Sequence, residues 1–73
     1  MAQHSNRSVQ IARAFIAEMG TQAKAAEAVG VRQPSVSRWN ASGWSRMREN
    51  DLRIRFPAMK VWKKFPPVGV EAR

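Results

Sequence analysis

The sequence has no cysteine, which excludes a disulfide framework and any thiolate metal site. Its one histidine, His4, lies in a polar N-terminal stretch and reads as a solvated residue rather than a ligand. Acidic groups are few: Glu18, Glu27, Glu49, Asp51 and Glu71 are scattered along 73 residues. Acid–base catalysis needs two groups converging on one pocket, and a chain this short builds few pockets, so the expectation is a protein that is not an enzyme. No apolar run approaches the roughly 20 residues that span a bilayer, and no charged-then-apolar leader marks a secretory signal. We expect no cofactor, no metal, no small-molecule ligand and no membrane association.

What the sequence does have is basic charge. Thirteen Lys and Arg against five acids give a net charge of +8 and a pI near 11.7. Hydrophobic residues make up 44% of the chain, too many for a disordered basic tail. A folded domain of this charge attracts polyanions, among which DNA, RNA and anionic membrane are the candidates. Residues 1–43 carry five basic groups and two acids, and residues 44–73 carry eight and three, so the second part is the more basic. A core this small also gains stability from a second copy or a partner.

Residues 1–7 lack periodicity and read as a flexible arm. Ser5, Asn6 or Ser8 can cap the first helix. Ile11, Ala12, Phe15, Ile16 and Met19 form the apolar stripe of that amphipathic helix over 8–19, with Arg13 and Glu18 outside it and Gly20 as its stop. Thr21 caps a second helix over 22–29, where Ala25, Ala26 and Val29 face inward. Gly30 ends it. A third helix over 33–41 has Pro34 in its first turn, where the missing N–H costs nothing, and Val36 and Trp39 as its inner anchors.

This pattern meets the packing demands of a helix-turn-helix. Ala26 permits close helix crossing, Gly30 supplies positive φ in the turn, Val31 plugs the angle, and Val36 with Trp39 holds the second helix. A generic helical bundle built on an Ala-rich hairpin is the plainer alternative. In a helix-turn-helix the second helix enters the major groove. Opposite Val36 and Trp39 on that helix lie Pro34, Ser37 and Arg38, with Gln33 projecting from its start. Gln33 suits adenine N6 and N7, and Arg38 suits guanine O6 and N7. Ser37 can donate or accept, and Pro34 offers an apolar contact to a thymine methyl. Thr21 and Gln22 open the preceding helix, where free N–H groups favour phosphate. Lys24, Arg32 and Asn40 are further phosphate clamps, and the basic second half adds Arg46, Arg48, Lys63 and Lys64. These would set register without reading sequence.

The run from Met19 to Trp39, MGTQAKAAEAVGVRQPSVSRW, resembles the helix-turn-helix of phage lysis/lysogeny regulators. It is close to the CII activators, with their G-T…A-E-A-V-G-V…S-R-W pattern. It is also similar to Cro repressors, which place a Gln just after G-V and often S-x-W at the end. The likeness covers about residues 9–41. CII proteins continue into tetramerisation helices for which this chain is short, whereas Cro proteins are about this size. The segment Lys64-Phe65-Pro66 resembles the close of lambda-type Cro proteins, and that resemblance makes Phe65 a contact with a partner subunit. It implies a cytoplasmic regulator in a bacterial host that binds a double-stranded DNA operator as a homodimer. Repression is the expected mode and CII-like activation the alternative.

The second half is read less directly. Leu52-Arg53-Ile54-Arg55-Phe56 alternates apolar and basic residues, as a half-buried strand does, with Arg53 and Arg55 turned to water or phosphate. Glu49-Asn50-Asp51 reads as the turn before it. After Pro57, either a second strand through Met59 and Val61 completes a hairpin, or Pro57 starts a helix with Met59, Trp62 and Phe65 inside. The expected fold class is therefore mainly α with a small β part (α+β). It comprises a three-helix core and a C-terminal β-hairpin within residues 8–65, then a flexible tail over 66–73. An all-α second half is the alternative. Trp44, Phe56, Trp62 and Phe65 amid basic residues could also suggest an RNA platform, though no repeated aromatic pairs on a sheet are legible. A second functional class stays open as well: a helix-turn-helix scaffold whose basic half grips an acidic protein, as adaptor or inhibitor.

Overall fold

A computed structural model describes residues 6–65; residues 1–5 of the expected arm and the expected tail, 66–73, lie outside them. Five helices succeed one another: α1 (Asn6–Met19), α2 (Gln22–Val29), α3 (Gln33–Ser42), α4 (Arg46–Arg55) and α5 (Val61–Lys64). Among the described residues there is no strand, no helix long and apolar enough to cross a membrane, and no acid or histidine cluster suited to a metal ion.

α1 is the central element. Its stripe buries Ile11, Ala12, Phe15 and Ile16, and α2, α3 and α5 pack on it. It starts two residues before the expected boundary, and Ser8 lies inside it rather than capping it. α2 and α3 match the sequence pattern closely. The Thr21 hydroxyl accepts from the Lys24 N–H at 3.1 Å, closing the first turn of α2. Gly30 ends α2 in the left-handed region, with φ 88° and ψ 30°. Its N–H and that of Val31 both donate to the Ala26 carbonyl, at 2.8 and 3.0 Å. Val31 packs half-buried on the core, while Val36 and Trp39 turn inward from α3.

The connection from α3 to α4 crosses the first turns of α1 at Gly43. A Cβ on Gly43 would stand 2.5 Å from Ser8 Oγ and 2.9 Å from the Val9 backbone nitrogen. Its φ of 84° and ψ of −169° belong to a region held almost only by glycine. The next residue is clamped in the same place. The Ser8 hydroxyl donates to the Trp44 carbonyl at 2.6 Å and accepts from the Trp44 N–H at 2.7 Å. The Trp44 ring then meets Phe15 and Trp39 edge to face, with centroids 5.4 and 5.5 Å apart. Its Nε1 is buried without an acceptor among the described residues, so the ring is held by area and edge contacts rather than by its polar end.

The C-terminal β-hairpin is not present. Residues 52–55 belong to α4, and Glu49-Asn50-Asp51 forms the interior of that helix rather than a turn. Ser45 caps α4 by accepting from the Arg48 N–H at 3.1 Å. Glu49 pairs with Arg53 at 2.7 Å and Asp51 with Arg55 at 3.4 Å, both one helical turn on. This acid-before-base order at i,i+4 supports a helix. The alternation misleads because Leu52 is fully buried while Ile54 is 79% exposed, and the Arg53 side chain is only 12% exposed. Arg53 does not face phosphate. It donates to Glu49 and to the Phe65 carbonyl, and its guanidinium lies over the Trp62 ring. Arg55 donates to the Val29 carbonyl at 2.8 Å, placing a cation on the C-terminal end of α2.

The all-α alternative fits, with one correction. Pro57 lies in a turn, and α5 begins four residues later. Met59, Trp62 and Phe65 do pack on the core as that alternative required. The start of α5 is fixed from α1: the two Glu18 carboxylate oxygens accept from the Lys60 and Val61 N–H groups at 2.8 and 2.9 Å.

Two pairs of substitutions test these assignments by urea unfolding. Leu52→Ala should cost about 2–5 kcal/mol, and Ile54→Lys should stay within about 0.5 kcal/mol; a strand would place both residues on one face and penalise both. Gly30→Ala, where nothing lies within 4 Å of the added methyl, should cost about 1–2 kcal/mol from backbone strain alone. Gly43→Ala adds collision with α1 and should cost about 2–5 kcal/mol.

Candidate nucleic-acid interface

α3 has one buried side and one open side. Val36 is fully buried and Trp39 nearly so, whereas Gln33, Pro34, Ser37 and Arg38 are all on the outside. The structure therefore brings the four expected base-reading residues onto one solvent-facing surface. No described residue hydrogen-bonds to the side chain of Gln33 or Arg38. α3 starts without a side-chain cap, since Arg32 provides none; Pro34 has no N–H and the Ser35 N–H donates to the Arg32 carbonyl at 3.0 Å, so the Gln33 N–H is the one in its first turn left to an acceptor.

One expected reader has a partner. The Ser37 hydroxyl donates to Gln22 Oε1 at 2.6 Å. The bond ties the first residue of α2 to the middle of α3 across the turn at Gly30. It leaves the two Gln22 amide hydrogens for another acceptor. The expected phosphate contact and an expected base reader thus touch each other, which the helical pattern alone did not reveal.

The expected phosphate contacts divide into two groups. Lys24, Arg32, Arg46, Lys63 and Lys64 are exposed or partly so and form no ion pair with a described residue. Thr21 is exposed, and its oxygen caps α2. Asn40 is half-buried, and its carbonyl accepts from Arg13 Nε at 2.7 Å. Arg48 is drawn onto the protein surface, 3.7 Å from Asp51 and over the Trp39 ring at 5.3 Å. Lys63 and Lys64 sit on α5, which packs on α1. Phe65, the expected partner contact, lies half-buried against the core of its own chain.

Charge sharpens the asymmetry. Residues 28–48 contain Arg32, Arg38, Arg46 and Arg48 and no acid. Three of the acids elsewhere are engaged: Glu18 caps α5, Glu49 sits between Arg53 and Arg7, and Asp51 sits between Arg48 and Arg55. Arg13 and Glu18 were legible only as residues outside the α1 stripe; their roles as a brace to α3 and a cap for α5 needed the tertiary arrangement. Ser8 and Gly43 had no sequence signal beyond a candidate cap and a helix stop. No family model, no curated protein and no solved structure matches this chain.

Proposed function

We propose that this protein is a sequence-specific, double-stranded DNA-binding transcriptional regulator, with α3 as the helix that enters the major groove. The observation that carries the reading is the open side of α3. Gln33, Pro34, Ser37 and Arg38 share it, uncovered, on a stretch of chain without an acid. Gln and Arg are the side chains that read adenine and guanine by paired hydrogen bonds. A protein-docking helix would carry acidic or bulky apolar residues there instead.

The mechanism needs no catalysis. Gln22, at the start of α2, and the free N–H of the first turn of α3 engage phosphates flanking the groove. Lys24, Arg32, Arg46, Lys63 and Lys64 release counterions as they approach the backbone, and this supplies most of the affinity irrespective of sequence. Arg38 and Gln33 then select the register. Two copies would occupy half-sites about one helical turn apart on a pseudo-palindromic operator, and repression would result from occupying promoter DNA. The support for a Cro-like regulator is the α2–turn–α3 pattern; the all-helical second half carries none of it.

Binding-site selection from a random duplex library, then mobility shifts at two salt concentrations, tests the proposal. Arg38→Ala should lower affinity for the selected site by about 1–3 kcal/mol and relax preference at one base pair per half-site. Replacing Lys63 and Lys64 by Ala should weaken binding evenly across operator variants and flatten the salt dependence by about two units of slope. A wild-type chain that selects no duplex sequence overturns the reading, and unchanged discrimination in Arg38→Ala removes that residue from it.

A further inference from the structure

A serine hydroxyl on a recognition helix is normally a poor discriminator. It carries one hydrogen and two lone pairs and rotates to suit either a donor or an acceptor. Every base pair offers both in the major groove, an amino group on one base and a keto oxygen on the other. In a helix interior the same hydroxyl often turns back to the carbonyl four residues earlier. Ser37 does neither: its hydrogen is given to Gln22 Oε1 at 2.6 Å, while the residue remains exposed.

We infer that the Gln22–Ser37 bond makes Ser37 an acceptor-only reader, selecting a base with an amino group, adenine through N6 or cytosine through N4, at one position of the half-site. The inference rests on the DNA-binding reading above and deepens it. With its hydrogen committed, Ser37 Oγ presents only lone pairs to the groove. The exocyclic amino groups of adenine and cytosine donate to it, and the keto oxygens of guanine and thymine face it without a hydrogen between them. Gln22 is the positioning residue. Its amide hydrogens, left free by the bond, serve the phosphate expected at the start of α2. Donors therefore run one way along the relay: base amino group to Ser37, Ser37 to Gln22, Gln22 to phosphate. A backbone contact that carries no sequence information by itself thereby fixes what a neighbouring side chain can read.

The polarity can be tested separately from the affinity. Binding sites are selected from a random duplex library with the full chain and with three variants: Ser37→Ala, Gln22→Ala and Gln22→Glu. Circular dichroism melts check that each variant folds. For the wild type, one position of the half-site, distinct from those lost in Arg38→Ala, should be enriched in A and C over G and T on one strand by about three- to tenfold, the range of a single hydrogen bond. Ser37→Ala should lose that enrichment and keep the rest of the motif. Gln22→Ala should relax it, because the freed hydroxyl can donate to a keto oxygen, and should also weaken binding at every site. Gln22→Glu separates the two roles. Its carboxylate still accepts from Ser37 and preserves the A/C enrichment, while the loss of donors and the added charge weaken binding throughout. A motif with no such position, an enrichment of G and T in its place, or enrichment unchanged in Gln22→Ala would each overturn the inference and leave the DNA-binding reading standing. A chain that selects no motif at all overturns both.

Discussion

The crossing of the α3–α4 connection over the start of α1 is the constraint on which the rest of this small fold depends. At Gly43 two backbone segments approach so closely that no side chain fits between them, and one hydroxyl, Ser8, serves both backbone groups of Trp44 in the space that remains. Buried backbone groups left unpaired cost about as much as lost hydrogen bonds, so the chain can cross here only because that hydroxyl is present. Once it crosses, the Trp44 ring falls between Phe15 and Trp39. The inner side of α3 is thereby fixed, and its outer side with it. The seam supports α3 from beneath through the contact of Trp44 with Trp39.

The polar side chains show the same economy of means. In a domain with few acids, α4 and α5 are stitched together by carboxylates and guanidinium groups that each serve more than one element. Glu49 meets Arg7 from α1 and Arg53 from its own helix, Arg53 reaches on to the Phe65 carbonyl, and Trp62 Nε1 donates to the Phe56 carbonyl at 2.7 Å. Glu18 closes α5 from the far end of α1. A count of charges along the chain makes the second half the more basic, yet that is where the acids engage Arg side chains. The first half keeps Lys24, Arg32 and Arg38 without an acidic partner among the described residues. Opposite charges in contact screen each other's field. Unopposed positive charge thus lies on the helix pair whose outer residues suit a duplex, and in the second half it is left to Arg46, Lys60, Lys63 and Lys64.

The second half was hard to read for a specific physical reason. Alternation of apolar and basic residues from Leu52 to Phe56 satisfies a strand's period of two. In a helix the same five residues satisfy the pattern only if an Arg can be buried and an Ile left in water. Both happen here. Arg53 is largely, though not fully, withdrawn from water because Glu49 and the Trp62 ring compensate its charge, and Ile54 and Met47 stand 79% and 82% exposed on the other side of α4. The helical signal was nonetheless present in the Ser45 cap and in the spacings Glu49–Arg53 and Asp51–Arg55, which are meaningless for a strand and favourable in a helix.

Residues within about ten positions of one another settled the first half. The stripe of α1, the Thr21 cap, the positive-φ turn at Gly30, Pro34 in the first turn of α3, and the inward pair Val36 and Trp39 are local features, and their physics acts within one or two helical turns. The outward set Gln33, Pro34, Ser37 and Arg38 results from them by helical period alone. The tertiary structure decided what depends on distant partners. It chose helix over strand after Ser45, because burying Arg53 is tolerable only beside Glu49 and Trp62. It assigned Ser8 to Trp44 and Glu18 to α5 across the length of the chain. It also joined Ser37 to Gln22, since a hydroxyl's donor or acceptor character is set by whatever group lies opposite, and sequence spacing does not record that.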